Sequence, residues 1–353
     1  MHFVTFTNIH RVLNNINEYS IKNVNIPEIG DYDTLVKVKA AGICGSDIPR
    51  IYKSGTYHYP LIPGHEFSGI VEMAGKNASD MLNKRVGVFP LIPCMKCAQC
   101  IDKKYEMCKN YSYLGSRTDG GYAEYVKVPL WNLIELPDNV SFEQAAMLEP
   151  MSVSVHALRR AGLLNNDKSD RNLRIMIMGL GAIGMSLAMM LISEGYKYVY
   201  VCGNKELQKQ TAFKLNVAHD FYVDIKEFAA MDKDFDVFFD CVGTNEVVDI
   251  ALNSVRPSGT VVLVGNPASD MAVNRNSYWQ ILRKQLTLVG TWNSSFTHEN
   301  SDDWHYVLNK LKSGSIHPEQ MISHRFSFDE MMSGFELMRD KSEPYIKVMG
   351  IFS

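Results

Sequence analysis

Over the first 150 residues the apolar positions fall in short β-branched runs, TLVKVKAAGI, SGIVEMAG, KRVGVFPLI and YAEYVKV, separated by Gly, Pro and Asp. Runs of this kind, bounded by turn formers, predict irregular and mostly antiparallel β structure. The pattern then changes. NLRIMIMGLGAIG is a strand-like run ending in glycines, MSLAMMLISEG is an apolar helix-like segment, and YKYVYVCG is a second strand-like run. FDVFFDCVG and GTVVLVG repeat the pattern, each a buried strand ending in glycine. Near-continuous apolar strands separated by helical segments predict a parallel sheet covered on both faces. Beyond about residue 290, helical segments SDDWHYVLNKLKSG and SFDEMMSGFELMRD precede a last strand, YIKVMGIF. The expected organisation is α/β overall. A β-rich domain spans 1–150, a doubly wound parallel-sheet domain spans 151–290, and a tail over 291–353 returns to the first domain.

Bulk properties narrow the function. A chain of 353 residues, 46% apolar and 21% charged, fits two globular domains and not a disordered, collagenous or disulfide-scaffold protein. Net charge is −3 and the pI about 6.4, so no basic surplus is available for a nucleic-acid backbone, and no nucleic-acid partner is expected. The opening MHFVTFTNIHRVLNN lacks the features of a secretory signal, which predicts a cytoplasmic setting with reduced thiols. Ile175 to Ser193 is a stretch of 19 residues without a charge, long enough to cross a bilayer. Its three glycines read instead as strand, turn and helix, so no membrane partner is expected.

Cys94, Cys97, Cys100 and Cys108 are spaced C-x2-C-x2-C-x7-C in a lobe over about 90–110. Four thiolates so close in sequence can close a tetrahedron around one Zn2+, and an iron–sulfur cluster also takes four thiolates. Four merely buried thiols fit poorly, because PCMKCAQCIDKKYEMCKN is rich in charge. A closed four-sulfur site has no open position, so its metal would hold the lobe and do no chemistry. Cys202 and Cys241 each end an apolar run and read as small buried hydrophobes.

Gly179-Leu180-Gly181-Ala182-Ile183-Gly184 follows a strand and opens a helix, the context that gives G-x-G-x-x-G its meaning. Gly179 allows the tight turn, Gly181 lets backbone approach a pyrophosphate, and Gly184 lets helix and strand pack closely. A second constellation lies upstream: Cys44 in GICGSD, His65 and Glu66 in PGHEFSG, and Glu149 in LEP. A thiolate, an imidazole and a carboxylate make a three-ligand zinc site with a fourth position left for substrate. Each residue alone is ordinarily structural; the combination with a nucleotide domain carries the assignment. Ser46 and Asp47 also suit a helix N-cap, a role compatible with catalysis.

GICGSD, PGHEFSG, the four-cysteine lobe, GGYAEYV, EPMSVSVHA and GLGAIG occur in one order along essentially the whole chain. In this the sequence resembles the zinc-dependent medium-chain dehydrogenase/reductases, in their polyol (sorbitol) branch. The resemblance implies a GroES-like catalytic domain and a Rossmann coenzyme domain. It implies catalytic zinc on Cys44, His65 and Glu149, with Glu66 as an alternative ligand. Asp47 would accept a hydrogen bond from His65, fixing its tautomer. Ser46 would touch the alcohol and begin the proton's exit. Zinc would act as a Lewis acid on the alcohol while hydride passes to a nicotinamide held in the cleft between the domains. Two zinc ions per chain are expected, the second in the cysteine lobe.

The segments SDIPRIYKSGTYHYPLIPGHEFSG, PLIPCMKCAQC, YLGSRTDGGYAEYV and LRKQLTLVGTW extend the likeness to enzymes of hexitol phosphates, with galactitol-1-phosphate going to tagatose-6-phosphate. The implied ligand is a small sugar alcohol or its phosphate. Arg50, Lys53 and Arg117 are the cations expected at such a phosphate, although each also reads as a solvated surface cation. An unphosphorylated polyol or L-threonine is the alternative substrate, a zinc-free quinone-type reductase the alternative enzyme, and a nucleotide sensor the non-enzymatic alternative. The family's habit adds a homodimer or homotetramer. NAD-preferring members end the second strand of the nucleotide fold with an acid that holds the ribose hydroxyls. That position here is Gly203, followed by Asn204 and Lys205, with Lys209 a turn further on. Loss of the acid and gain of a cation favour NADP over NAD.

Overall fold

The structure is a computed structural model describing residues 7–164, 170–217 and 221–352. It divides into two units, Met1–Glu149 with Phe296–Ser313 and Ile322–Ser353, and Pro150–Ser295 with Gly314–Met321. The tail therefore rejoins the first unit at Phe296 rather than at 291, and Gly314–Met321 belongs to the second.

The first unit is built on a seven-stranded sheet. Its main path runs Ile322–Ser327, Lys347–Ile351, Asp33–Ile43, Glu66–Ala74, Arg85–Val88 and Leu133–Glu135, with Tyr125–Pro129 also pairing with Asp33–Ile43. All these pairings are antiparallel except that of the two C-terminal strands. Asp33–Ile43 is buried over most of its length, which its β-branched and alanine-rich sequence suits. Val36, Val38, Phe67, Val86, Val126 and Phe335 share the core. Three strands converge at Gly42, which lies opposite Glu66 on one side and opposite Met349 on the other. The C-terminal strand is thereby laid beside the residues that precede Cys44.

The second unit holds six parallel strands in the order Tyr222–Asp224, Tyr198–Gly203, Arg174–Met178, Phe235–Asp240, Val255–Leu263, Thr287–Gly290. The strand first in sequence sits third, so the winding reverses between it and Phe235–Asp240. In an open α/β sheet that reversal leaves a ligand crevice at the strands' C-terminal ends. The short strand Tyr222–Asp224 was not among the sequence-predicted elements; three residues carry too little periodicity to be read. The uncharged stretch resolves into strand Arg174–Met178 and helix Ala182–Ser193. Among the described residues no helix is long and apolar enough to cross a membrane.

Candidate active site and metal centres

The lobe cysteines converge. Cys97 Sγ lies 3.5 Å from Cys100 Sγ and 3.9 Å from Cys108 Sγ, and Cys94 and Cys100 sulfurs are 3.9 Å apart. Sulfurs ~2.3 Å from one zinc ion stand about 3.8 Å apart in a tetrahedron, so the four match a single ion and leave no room for a multi-iron cluster. Backbone N–H groups point at the sulfurs; the amide of Cys94 donates to Cys108 Sγ at 3.3 Å. The amide of Cys100 leads in drawing the Cys97 thiol down to about 6, while burial pushes that of Cys100 up to about 12.

In the first unit's main sheet, Cys44 Sγ, a His65 ring nitrogen and a Glu66 oxygen lie within 4.8 Å of one another. Cys44 follows the strand Asp33–Ile43, and Glu66 opens the neighbouring strand, so the antiparallel register brings them together. His65 and Glu66 are buried. Burial opposes a charge on His65, but the Asp47 carboxylate and the Cys44 thiolate outweigh it and push its pKa up to about 10. A buried group of anionic donors that favours a cation on its own imidazole fits a divalent metal at the same place.

Glu149, in the first turn of helix Leu148–Arg160, is buried beside this group and accepts a hydrogen bond from the Tyr113 hydroxyl at 3.2 Å. Burial, helped by the Glu66 charge and opposed by His65, raises its carboxyl to about 7. The Tyr113 ring meets His65 edge-on at 5.8 Å. Asp47 is fully buried and stands 3.6 Å from His65 Nδ1, an ion-pair distance beyond hydrogen-bond reach. It accepts instead from the Tyr122 hydroxyl at 2.6 Å, the Cys44 amide at 3.3 Å and the Arg50 guanidinium. Ser46 precedes a single helical turn, but its side chain makes no cap. Its exposed hydroxyl donates to Cys44 Sγ at 3.3 Å.

The three expected phosphate partners separate. Arg50 is committed to Asp47, and Lys53 is exposed. The Arg117 guanidinium carbon lies over both the Tyr57 and the Tyr111 rings, 4.3 Å from each centroid. Its amide donates to the Tyr113 carbonyl at 2.8 Å, which holds Arg117 one turn from the ring that touches His65.

In the second unit, a cavity of about 530 Å³ is lined by Gly179, Gly181, Gly203, Asn204, Lys205 and Gln208 among others. Gly179 has φ +99°, where a side chain is strained. A Cβ on Gly181 would meet nothing within 4 Å, and one on Gly184 would strike the Gly179 carbonyl. The backbone is thus open to a ligand at Gly181 and closed by packing at Gly184. Ala182 and Ile183 begin the helix, whose N-terminus has no side-chain cap, leaving N–H groups for an anion. Cys202 and Cys241 line the same cavity; burial holds both thiols well above their usual range. A Cβ on Gly203 would lie 3.0 Å from Gln208 Oε1, which accepts from the Asn204 amide. Lys209 lies over the Tyr222 ring.

Sequence reasoning missed Tyr113, Tyr122, Gln208 and Lys347. Lys347 forms a buried ion pair with Glu66. Its signal was a lone cation inside the apolar run YIKVMG.

A Rossmann crevice with an open glycine turn, a thiolate–imidazole–carboxylate group and a separate four-thiolate lobe together make up a zinc-dependent, nicotinamide-linked dehydrogenase. Residues 30–138 match the alcohol dehydrogenase GroES-like domain, and residues 142–348 match the glucose dehydrogenase C-terminus. The chain is 30% identical over 312 residues to galactitol 1-phosphate 5-dehydrogenase of Escherichia coli K12, covering 86% of this chain and 88% of that one. It is 29% identical over 325 residues to L-threonine 3-dehydrogenase of Pseudoalteromonas translucida, covering 88% and 90%. A zinc-binding dehydrogenase of Sinorhizobium meliloti 1021 bound to NADP superposes with a TM-score of 0.87 at 27% identity, over 98% of this chain and 99% of that one. An alcohol dehydrogenase of Escherichia coli CFT073 complexed with NADH gives 0.86 at 25%, over 98% and 100%. The chain belongs to the zinc-dependent medium-chain alcohol and polyol dehydrogenases.

Proposed function

We propose that the chain oxidises a secondary alcohol of a hexitol phosphate, of the galactitol-1-phosphate kind, to the ketose phosphate, with NADP as coenzyme, and runs the reverse reduction. The observation that carries the substrate is Arg117. Clamped between two tyrosines, with Nη1 donating to the Tyr111 carbonyl and Nη2 to the Tyr57 hydroxyl at 3.3 Å each, it keeps its orientation at little entropic cost and holds a fixed positive charge for a phosphate. The relative that acts on galactitol 1-phosphate supports the same substrate class.

When bound at the site, zinc would supply Lewis acidity toward the alcohol oxygen and a nicotinamide would supply the hydride acceptor. Cys44, His65 and Glu149 would hold that zinc, and the lobe cysteines a second ion. Asp47 keeps His65 in place electrostatically, itself fixed by Tyr122 and Arg50. The exposed Ser46 hydroxyl takes the alcohol proton and hands it to solvent. The glycine turn receives the pyrophosphate. Gly203 offers no carboxylate against a 2′-phosphate, and Lys205 lines the same cavity.

We further infer a cytoplasmic homodimer. The free cysteines support the setting. The open edge strand Thr287–Gly290 supports the dimer, as does the exposure of Tyr278, Leu282, Leu288 and Trp292 in the same unit.

Comparing kcat/KM for galactitol-1-phosphate, galactitol and L-threonine tests the substrate. The phosphate ester should win by at least about tenfold, the worth of one charge-assisted contact at ~1.4 kcal/mol. Equal constants for ester and free polyol would remove the phosphate, and a preference for threonine would install the other substrate.

A further inference from the structure

Tyr113 stands between the metal-competent residues and the turn that carries Arg117. It ends the short strand Ser112–Tyr113, which pairs antiparallel with Leu91–Ile92. Its carbonyl accepts the amides of Ser116, Arg117 and Thr118 at 3.2, 2.8 and 3.1 Å. Its ring lies edge-on to His65. Strand pairing, turn and ring contact together fix the phenol hydroxyl against Glu149 Oε1, to which it donates at 3.2 Å. Glu149 is 9% exposed, and among the described residues its Oε2 takes no hydrogen bond. The two oxygens of this carboxylate are therefore unequal: a neutral donor holds one and leaves the other free. The difference matters to a metal, because a carboxylate can bind through one oxygen or through both. Three protein ligands, each giving one atom, leave the fourth tetrahedral position of a zinc site open. A carboxylate that gives both oxygens fills it.

We propose that Tyr113 is a positioning residue that occupies Oε1 of Glu149, so that this carboxylate reaches the catalytic metal through Oε2 alone and the fourth position stays open to the alcohol. This rests on the zinc reading above, in which Glu149 is a ligand. Without the hydroxyl, Oε1 is a buried acceptor with no partner, a costly state that a second bond to the metal relieves.

Phe at this position keeps a ring beside His65 and the backbone of the turn, and removes the hydroxyl alone. The test uses protein with cobalt exchanged into the site at Cys44, whose visible bands weaken when a fifth donor joins a tetrahedral ion. Imidazole, a small ligand that enters an open position, is the second probe. Tyr113→Phe should lose band intensity and need at least about tenfold more imidazole for half-saturation, the lower end of what neighbours of metal ligands command. Turnover should fall in parallel while coenzyme binding is unchanged. In a Glu149→Gln background, removing the hydroxyl should change neither the bands nor the imidazole affinity, since a carboxamide gives a metal one oxygen. If Tyr113→Phe fails to accumulate, Tyr113→Leu is read the same way. A lower melting temperature in Tyr113→Phe with wild-type bands and imidazole affinity would overturn the proposal and leave the hydroxyl a structural contact. The ligand reading fails separately, and takes the proposal with it, if Glu149→Gln alone leaves the cobalt bands as in wild type.

Discussion

Gly203 ends its strand where a carboxylate would govern coenzyme choice, and a Cβ there would meet only side-chain ends, Gln208 Oε1 at 3.0 Å and Leu180 Cδ1 and the Tyr222 hydroxyl at 3.2 Å, which must give by a few tenths of an ångström. Gly203→Asp therefore fits at modest cost and places a negative charge where a 2′-phosphate would lie. The ratio of kcat/KM for NADP over NAD should fall by about tenfold or more, ~1.4 kcal/mol or above. A wild type that prefers NAD and ignores the new carboxylate would reverse the coenzyme assignment and leave the zinc chemistry untouched. The place of Gly203 at its strand's end beside the glycine turn was legible because strand and turn follow one another locally. Gln208 was not, since a glutamine on a helix announces no target. Lys347 and Glu66 lie 281 positions apart, and only sheet register joins them. Arg50 looked free in sequence, but three residues earlier in the same turn stands the buried acid that claims it.

The cysteine lobe carries little secondary structure around its four converging sulfurs. Its α-helix, Ala98–Ile101, spans a single turn, and only a 3-10 turn, Tyr105–Met107, accompanies it; both are too short to persist alone. Sulfur positions and backbone N–H groups organise the loop, so an ion held there would couple to its stability. Cys97→Ala should lose the lobe zinc and lower the melting temperature by several degrees, with protease cuts appearing within 94–108. Unchanged stability with the zinc count intact would contradict a structural ion. The lobe's convergence was readable in full, because all four cysteines lie within one short stretch. The β strands around it were readable only as a class. Their order depends on which edges meet, and the final strand's place beside Asp33–Ile43 is set by contacts far away in sequence. The paired carboxylates, for the same reason, could be named from sequence but not assigned to their partners.

The two units carry separable tasks, one holding the metal-competent residues and the other the nucleotide crevice. The proposed assembly surface lies in the second. Leu288→Lys on the open edge strand should shift the mass in solution from twice the 39.9 kDa chain mass towards that of one chain, as read by light scattering. A mass unaffected by the charge would place the interface elsewhere. The separation of tasks also makes the metal chemistry testable without disturbing coenzyme binding. The most direct measurement is zinc content and turnover of Cys44→Ala beside wild type, with coenzyme affinity followed by fluorescence. About two zinc ions per chain in wild type and about one in the variant are predicted, with turnover abolished and coenzyme bound as before. Near-normal turnover in Cys44→Ala, or an unchanged zinc count, would contradict the account.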